Sequence, residues 1–206
     1  MRRKALFFLL AALTSIFATA QSNKAKAVLD KTAATMRSAG DIKAEFSAAS
    51  SAGSMNGTLY IHKSMLHLQS SNVKCWYDGK TLWTYRKNTN EVNVTIPTQA
   101  EKQSLNPYFF INIYKKGYTY TMKDANVRGK VCHEVTLSAT AKSNKLEKMV
   151  VYIDKKTNYP LKVCLQRKGK STNIDILQCR TKQKFNEATF KFKANDYPGV
   201  EVIDLR

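Results

Sequence analysis

Three histidines and four cysteines are the residues of this 206-residue chain best suited to nucleophilic or metal chemistry. The tightest grouping is Cys132-His133-Glu134, which brings a nucleophile, a base and an orienting carboxylate into one stretch. Alternation along a strand puts Cys132 and Glu134 on one face and His133 on the other, so the three cannot form a relay in place. His62 and His67 flank a turn around Ser64-Met65, with no carboxylate at a spacing that would orient either ring. A zinc site needs a closely spaced pair plus further ligands, and these two histidines supply only part of one. Asp41 and Glu45 are the nearest carboxylate pair worth weighing for acid–base work, and their place between helix and strand predicts solvated side chains. The sequence holds no Gly-rich phosphate loop, no Gly-x-Ser-x-Gly elbow and no His-Glu-x-x-His run. It therefore predicts no enzyme, no metal and no cofactor.

The cysteines, Cys75, Cys132, Cys164 and Cys179, include no C-x-x-C pair, which argues against a metal knuckle. Export would make disulfides admissible, and the pairing stays open among the possible connectivities. Export itself is read from the N-terminus. Arg2, Arg3 and Lys4 precede an apolar run over 5–18 and the triplet Ala18-Thr19-Ala20, the arrangement of a cleaved secretory signal peptide over residues 1–20. The run is shorter than the roughly 20 apolar residues a membrane span needs. The residue after the cut is Gln21 rather than a cysteine, so no lipid anchor is expected, and residues 21–206 form one domain. The net charge of +19 favours anionic partners. In an exported chain these are membrane surfaces or acidic proteins rather than nucleic acid, and the contact with a membrane surface would be transient. A monomer is expected.

The elements follow from periodicity. Ala25, Val28, Leu29, Ala33 and Met36 recur at helical spacing, with Ser22 or Asn23 as a cap and Gly40 past the end. Period-two patterns then predict strands at 42–49, 57–69, 75–77, 81–86, 91–96, 118–123, 131–139, 148–154, 160–166, 171–182 and 189–193. Turn signals separate them, at Ser54-Met55-Asn56-Gly57, Asp78-Gly79, Lys87 to Asn90, Arg128-Gly129, Ser143-Asn144, Lys156 to Asn158 and Lys168-Gly169. A mainly β, meandering antiparallel sheet of about eleven strands follows. One segment interrupts it. Asn106-Pro107 reads as an N-cap followed by proline at the first helical position, leading through Phe109, Phe110, Ile111 and Ile113 to Gly117. A short helix that is apolar on nearly all sides must be covered, so it serves as a lid over a sheet face or as a core helix.

Two runs carry a resemblance. Gly57-Thr58-Leu59-Tyr60-Ile61-His62-Lys63, followed by Tyr77-Asp78-Gly79-Lys80-Thr81-Leu82-Trp83-Thr84-Tyr85, resembles the signature of the LolA family, and the likeness extends over residues 21–206. It implies an open, incomplete antiparallel β-barrel whose concave apolar face is covered by helices. It also implies a periplasmic carrier that takes lipoprotein acyl chains, or lipids, from the inner to the outer membrane. An inner-membrane transporter would load such a carrier and an outer-membrane acceptor would receive its cargo. The alternative is a periplasmic module that senses lipids or lipoproteins. Under the resemblance Phe109, Phe110, Ile111 and Ile113 are lid residues that touch lipid. Strand alternation nominates Leu59, Ile61, Val135, Leu137, Val163, Leu165, Ile174 and Ile176 as cavity wall, with Val131, Leu161, Phe190 and Phe192 as further candidates. Lys63 stands where the family carries a gating arginine, and a lysine lacks the planar hydrogen-bonding fork.

Overall fold

The computed structural model describes residues 22–98, 114–141 and 146–206. The first element, helix α1, spans 22–37. Ala25, Leu29, Ala33 and Met36 recur every three or four positions, share one helix face, and are all buried. Alanine at two of these positions lets the helix approach the sheet closely. Thr32 is buried among them and donates its hydroxyl to the Val28 carbonyl at 3.0 Å. Gly40, at φ +65°, ends the helix in the left-handed conformation that glycine adopts without steric cost. The Lys182 amide then donates to the Ala39 carbonyl at 2.9 Å, tying the helix exit to the chain near 182.

Among the described residues twelve strands follow: β1 (Asp41–Ser50), β2 (Gly53–His62), β3 (Met65–Ser70), β4 (Val73–Tyr77), β5 (Leu82–Arg86), β6 (Glu91–Thr95), β7 (Tyr118–Val127), β8 (Lys130–Ala139), β9 (Lys148–Asp154), β10 (Pro160–Arg167), β11 (Lys170–Gln183) and β12 (Glu201–Asp204). They form one sheet in the order β12-β6-β5-β4-β3-β2-β1-β11-β10-β9-β8-β7. Two meanders, β1 to β6 and β7 to β11, thus meet where β1 pairs with β11. The end strands β7 and β12 do not pair with each other, so the sheet stays open. Every pairing is antiparallel except that of β12 with β6. The turns at Arg128-Gly129 and Lys168-Gly169 each hold two residues at positive φ, the geometry whose twist suits a two-residue hairpin.

Four sequence expectations are corrected. The run 57–69 is two strands, β2 and β3, because Lys63 takes a φ of +51° and reverses the chain between the paired residues His62 and Met65. Ser54 to Gly57 lies inside β2, and the reversal comes earlier, between Ser50 and Gly53. Residues 189–193 are not a strand. A 3-10 turn at Glu187–Phe190 is started by Asn186, whose side chain accepts the Ala188 amide, and a second turn follows at Ala194–Asp196. The last strand is β12, which the sequence reading did not foresee. The 184–200 connection leaves β11 at the centre of the sheet and delivers β12 to the β6 edge, which is why that final pair is parallel.

The core lies on the face that carries α1. Beneath the helix, Val135, Leu137, Met149, Val151 and Ile153 from β8 and β9 are fully buried. The opposite face is covered over β2 to β5 by the 184–200 connection, with Phe190 fully buried there.

Candidate functional site

Register decides which side chains share the α1 face. Ile42 lies opposite Ile61, Ile61 opposite Leu66, and Leu66 opposite Tyr77. One step along, Ala44, Leu59, Leu68 and Cys75 line up in the same way. Across the β1–β11 seam, Phe46 faces Ile176 and Ala48 faces Ile174, which in turn faces Val163. Val163, Val151, Val135 and Met122 complete the row to the β7 edge. The structure thus brings Leu59, Ile61, Val135, Leu137, Val163, Leu165, Ile174 and Ile176 onto one face. They divide by depth. Ile61, Val135, Leu137 and Val163 are buried under the helix, while Leu59, Leu165, Ile174 and Ile176 are half-buried. With Phe46 and Leu68, the half-buried set forms a continuous apolar band across β3, β2, β1, β11 and β10.

Gly57 sits within this band. A methyl at its Cα would lie 2.6 Å from the Gln69 carbonyl and 3.0 Å from the Phe46 ring, so the glycine is required for the ring to lie flat on β2. Lys63 is exposed in the β2–β3 turn. Phe109, Phe110, Ile111 and Ile113 lie outside the described residues. Tyr114, just after them, is buried against the α1 face. Its hydroxyl donates to Asp30 of α1 at 2.5 Å, and its carbonyl accepts from the Tyr120 hydroxyl on β7. Lys26 closes the chain of contacts with a 2.7 Å bond to Asp30. The Lys26 and Tyr114 bonds hold the Asp30 carboxyl below its usual range, and burial together with the Asp30 contact pushes the Tyr114 phenol up.

The opposite face holds what sequence spacing missed. Asp41 accepts from His62 Nδ1 at 2.6 Å and from the Phe185 amide at 3.0 Å, so it is neither solvated nor idle. The partner is 21 residues away, and only the β1–β2 pairing brings it near. His62 stacks on Phe190, and Tyr60, His67 and Trp76 stack in a ladder across β2, β3 and β4. Phe190 and Phe192 belong to this aromatic layer rather than to the α1 face. Leu161 packs with Val127 and Cys132 away from the main cluster, and Val131 is 57% exposed.

No catalytic set emerges among the described residues. Cys132 is fully buried and burial raises its thiol pKa, which leaves it an inert core residue. His133 lies on the other side of β8, beside Asp124, whose carboxylate takes a 2.7 Å bond from Lys155. All four cysteines are free thiols. No group of three or more His, Cys, Asp or Glu among the described residues is placed to hold a metal ion.

Residues 14–193 match the family described as "Outer membrane lipoprotein carrier protein LolA". No curated protein sequence matches the chain. Among solved structures, the fold is similar to an uncharacterized conserved protein from Thermus thermophilus, with a TM-score of 0.59 at 11% identity over 88% of this chain and 99% of that one. It is similar to LprF from Mycobacterium bovis, with a TM-score of 0.53 at 8% identity over 81% and 97%. A DUF1329 family protein from Desulfovibrio piger gives 0.50 at 13% identity over 84% and 98%. At such identities these likenesses speak for the fold alone.

Proposed function

Because the chain belongs to the LolA family of outer membrane lipoprotein carrier proteins, we propose that it is a periplasmic carrier that holds lipoprotein acyl chains, or lipids, against the α1 face and moves them from the inner to the outer membrane. The observation that supports this reading is the half-buried apolar band of Phe46, Leu59, Leu68, Leu165, Ile174 and Ile176, adjoining a core closed by α1. Each methylene buried there gains about 0.8 kcal/mol, so a band of this kind holds an acyl chain without any specific polar contact. Aliphatic walls impose no directional demand on the ligand, which suits cargo that must be released again. Phe109, Phe110, Ile111 and Ile113 cover the band in this reading, and Lys63, in the β2–β3 turn, takes the gating role. The reaction is binding and transfer, with no bond made or broken. An inner-membrane transporter and an outer-membrane acceptor would be the partners in loading and delivery.

The test is cargo. Protein recovered from its native periplasm should carry lipids or lipoproteins detectable by mass spectrometry. Leu59→Asp and Ile176→Asp, each placing a charge in the half-buried band, should abolish that cargo while far-ultraviolet circular dichroism stays unchanged. Ile111→Asp should do the same if the 107–114 segment covers the band. Unchanged cargo in all three variants would sink the proposal.

A further inference from the structure

An open pocket lies on the face away from α1, between β3–β4 and the segment 186–196, with a volume of about 440 Å³. Its size is within the usual range for small-molecule sites. His67 and Trp76 form its floor, and Thr189, Lys191, Lys193 and Asp196 stand around it. The floor is fixed. The His67 ring is stacked on both sides, against Tyr60 at 5.4 Å and Trp76 at 5.1 Å between centroids, so it presents an edge rather than a face. Its Nδ1 lies 3.1 Å from the Cys75 carbonyl, an acceptor, which places the proton on Nδ1 and makes Nε2 a hydrogen-bond acceptor. Burial lowers the His67 pKa, the bond to the Cys75 carbonyl opposes that, and Lys74 lowers it further.

The wall is fixed as well, since the Asn186 cap and the Lys191 amide bond to the Ala188 carbonyl hold the 3-10 turn in place. The pocket is lined by two exposed lysines, Lys191 and Lys193, by Asp196 and Thr189, and by the His67 ring, whose acceptor nitrogen is Nε2. Ammonium groups suit a phosphate, as point charges that need no particular plane. Acceptors beside them suit donors on the same ligand, namely hydroxyls. The Asp196 carboxylate also repels a bare anion that brings no hydroxyl for it to accept.

We propose that this pocket binds a hydroxylated phosphate ester, the chemistry shared by glycerol phosphate and sugar phosphates, whether free in solution or as the headgroup of a lipid. The site is separate from the apolar band, so it does not depend on the carrier reading.

Titration calorimetry on the intact chain tests it with sn-glycerol 3-phosphate, inorganic phosphate and glycerol. Saturable binding of glycerol phosphate is expected, with inorganic phosphate and glycerol each at least about tenfold weaker. Lys191→Gln combined with Lys193→Gln should weaken glycerol phosphate by roughly tenfold or more, as for lost charge-assisted bonds. Both lysines are exposed, so the fold should be retained. Asp196→Ala should narrow the gap between glycerol phosphate and inorganic phosphate. No saturable binding, equal affinity for all three probes, or indifference to the lysine pair would overturn the proposal. Vesicles of phosphatidylglycerol against phosphatidylcholine then separate the sources. Phosphatidylglycerol binding that is lost in the double lysine variant identifies a lipid headgroup, whereas soluble-probe binding with no vesicle preference identifies the free ester.

Discussion

The two faces of this sheet are closed in different ways. Over β8 to β10 the α1 face is sealed by aliphatic side chains against a helix whose inner positions are largely alanine, leucine and methionine. Over β2 to β4 the opposite face is sealed by rings, by the Asp41 bonds to His62 and Phe185, and by a capped 3-10 turn. Aliphatic packing is non-directional, so it tolerates exchange of one apolar partner for another. Stacked rings and hydrogen bonds fix one arrangement and penalise others. The same sheet thus pairs an adaptable face, suited to apolar cargo, with a fixed one that anchors the C-terminal connection.

If that contrast holds, Phe190→Ala should have the largest effect. It empties a fully buried ring site and should cost about 3–5 kcal/mol in urea unfolding. A cost under about 1 kcal/mol would show that the aromatic layer does not anchor the connection. By contrast Leu137→Met, at an equally buried position on the α1 face, should cost less than about 1.5 kcal/mol, because the volume is kept and the packing is non-directional. Gly57→Ala should fall between them at about 1–3 kcal/mol, since the Gln69 carbonyl cannot yield to the added methyl. Acceptance of the methyl at no cost would mean that the β2–β3 backbone yields at Gln69 as well as the Phe46 ring.

The smallest effect should come from Tyr114→Phe, at about 1 kcal/mol for the lost bond to Asp30. Its signature is pH dependence. The Tyr114 pKa is raised in the folded state, so its contribution is complete below about pH 10, the unfolded value, and is lost as pH rises further. Asp30 has the opposite sign, with its pKa lowered, so its contribution is present above pH 3.8 and is lost as pH falls below it. The phenylalanine variant should therefore lose stability less steeply above about pH 10 than the parent, as read by chemical unfolding across pH. Identical slopes would dissociate Tyr114 from the α1 anchor.

Much of this was legible in the residues. Ala25, Leu29, Ala33 and Met36 mark α1, because one buried helix face needs apolar residues at that spacing. The β7 to β11 meander is plain because Arg128-Gly129 and Lys168-Gly169 punctuate it with glycine at positive φ. Elsewhere local pattern and tertiary structure part. Lys63 and Ser64 reverse the chain at the turn placed around Ser64-Met65, but the apolar alternation runs on through it, so 57–69 also reads as one strand. Phe190 and Phe192 alternate as a strand would, yet the Asn186 cap diverts the chain into a 3-10 turn, because a local side-chain bond outweighs a two-residue pattern.

The sequence by itself determined the mainly β fold, the helix, which residues alternate together within a strand, and the family. Alternation and periodicity are local properties, and they survive any arrangement of the strands. Tertiary structure alone decided how deep each of the eight wall residues lies, that Asp41 meets His62, and that β12 closes the β6 edge in parallel. Only it placed His67, Trp76, Lys191 and Lys193 around one pocket. Each of these depends on contacts between residues far apart in the chain, and those contacts are set by which strands become neighbours.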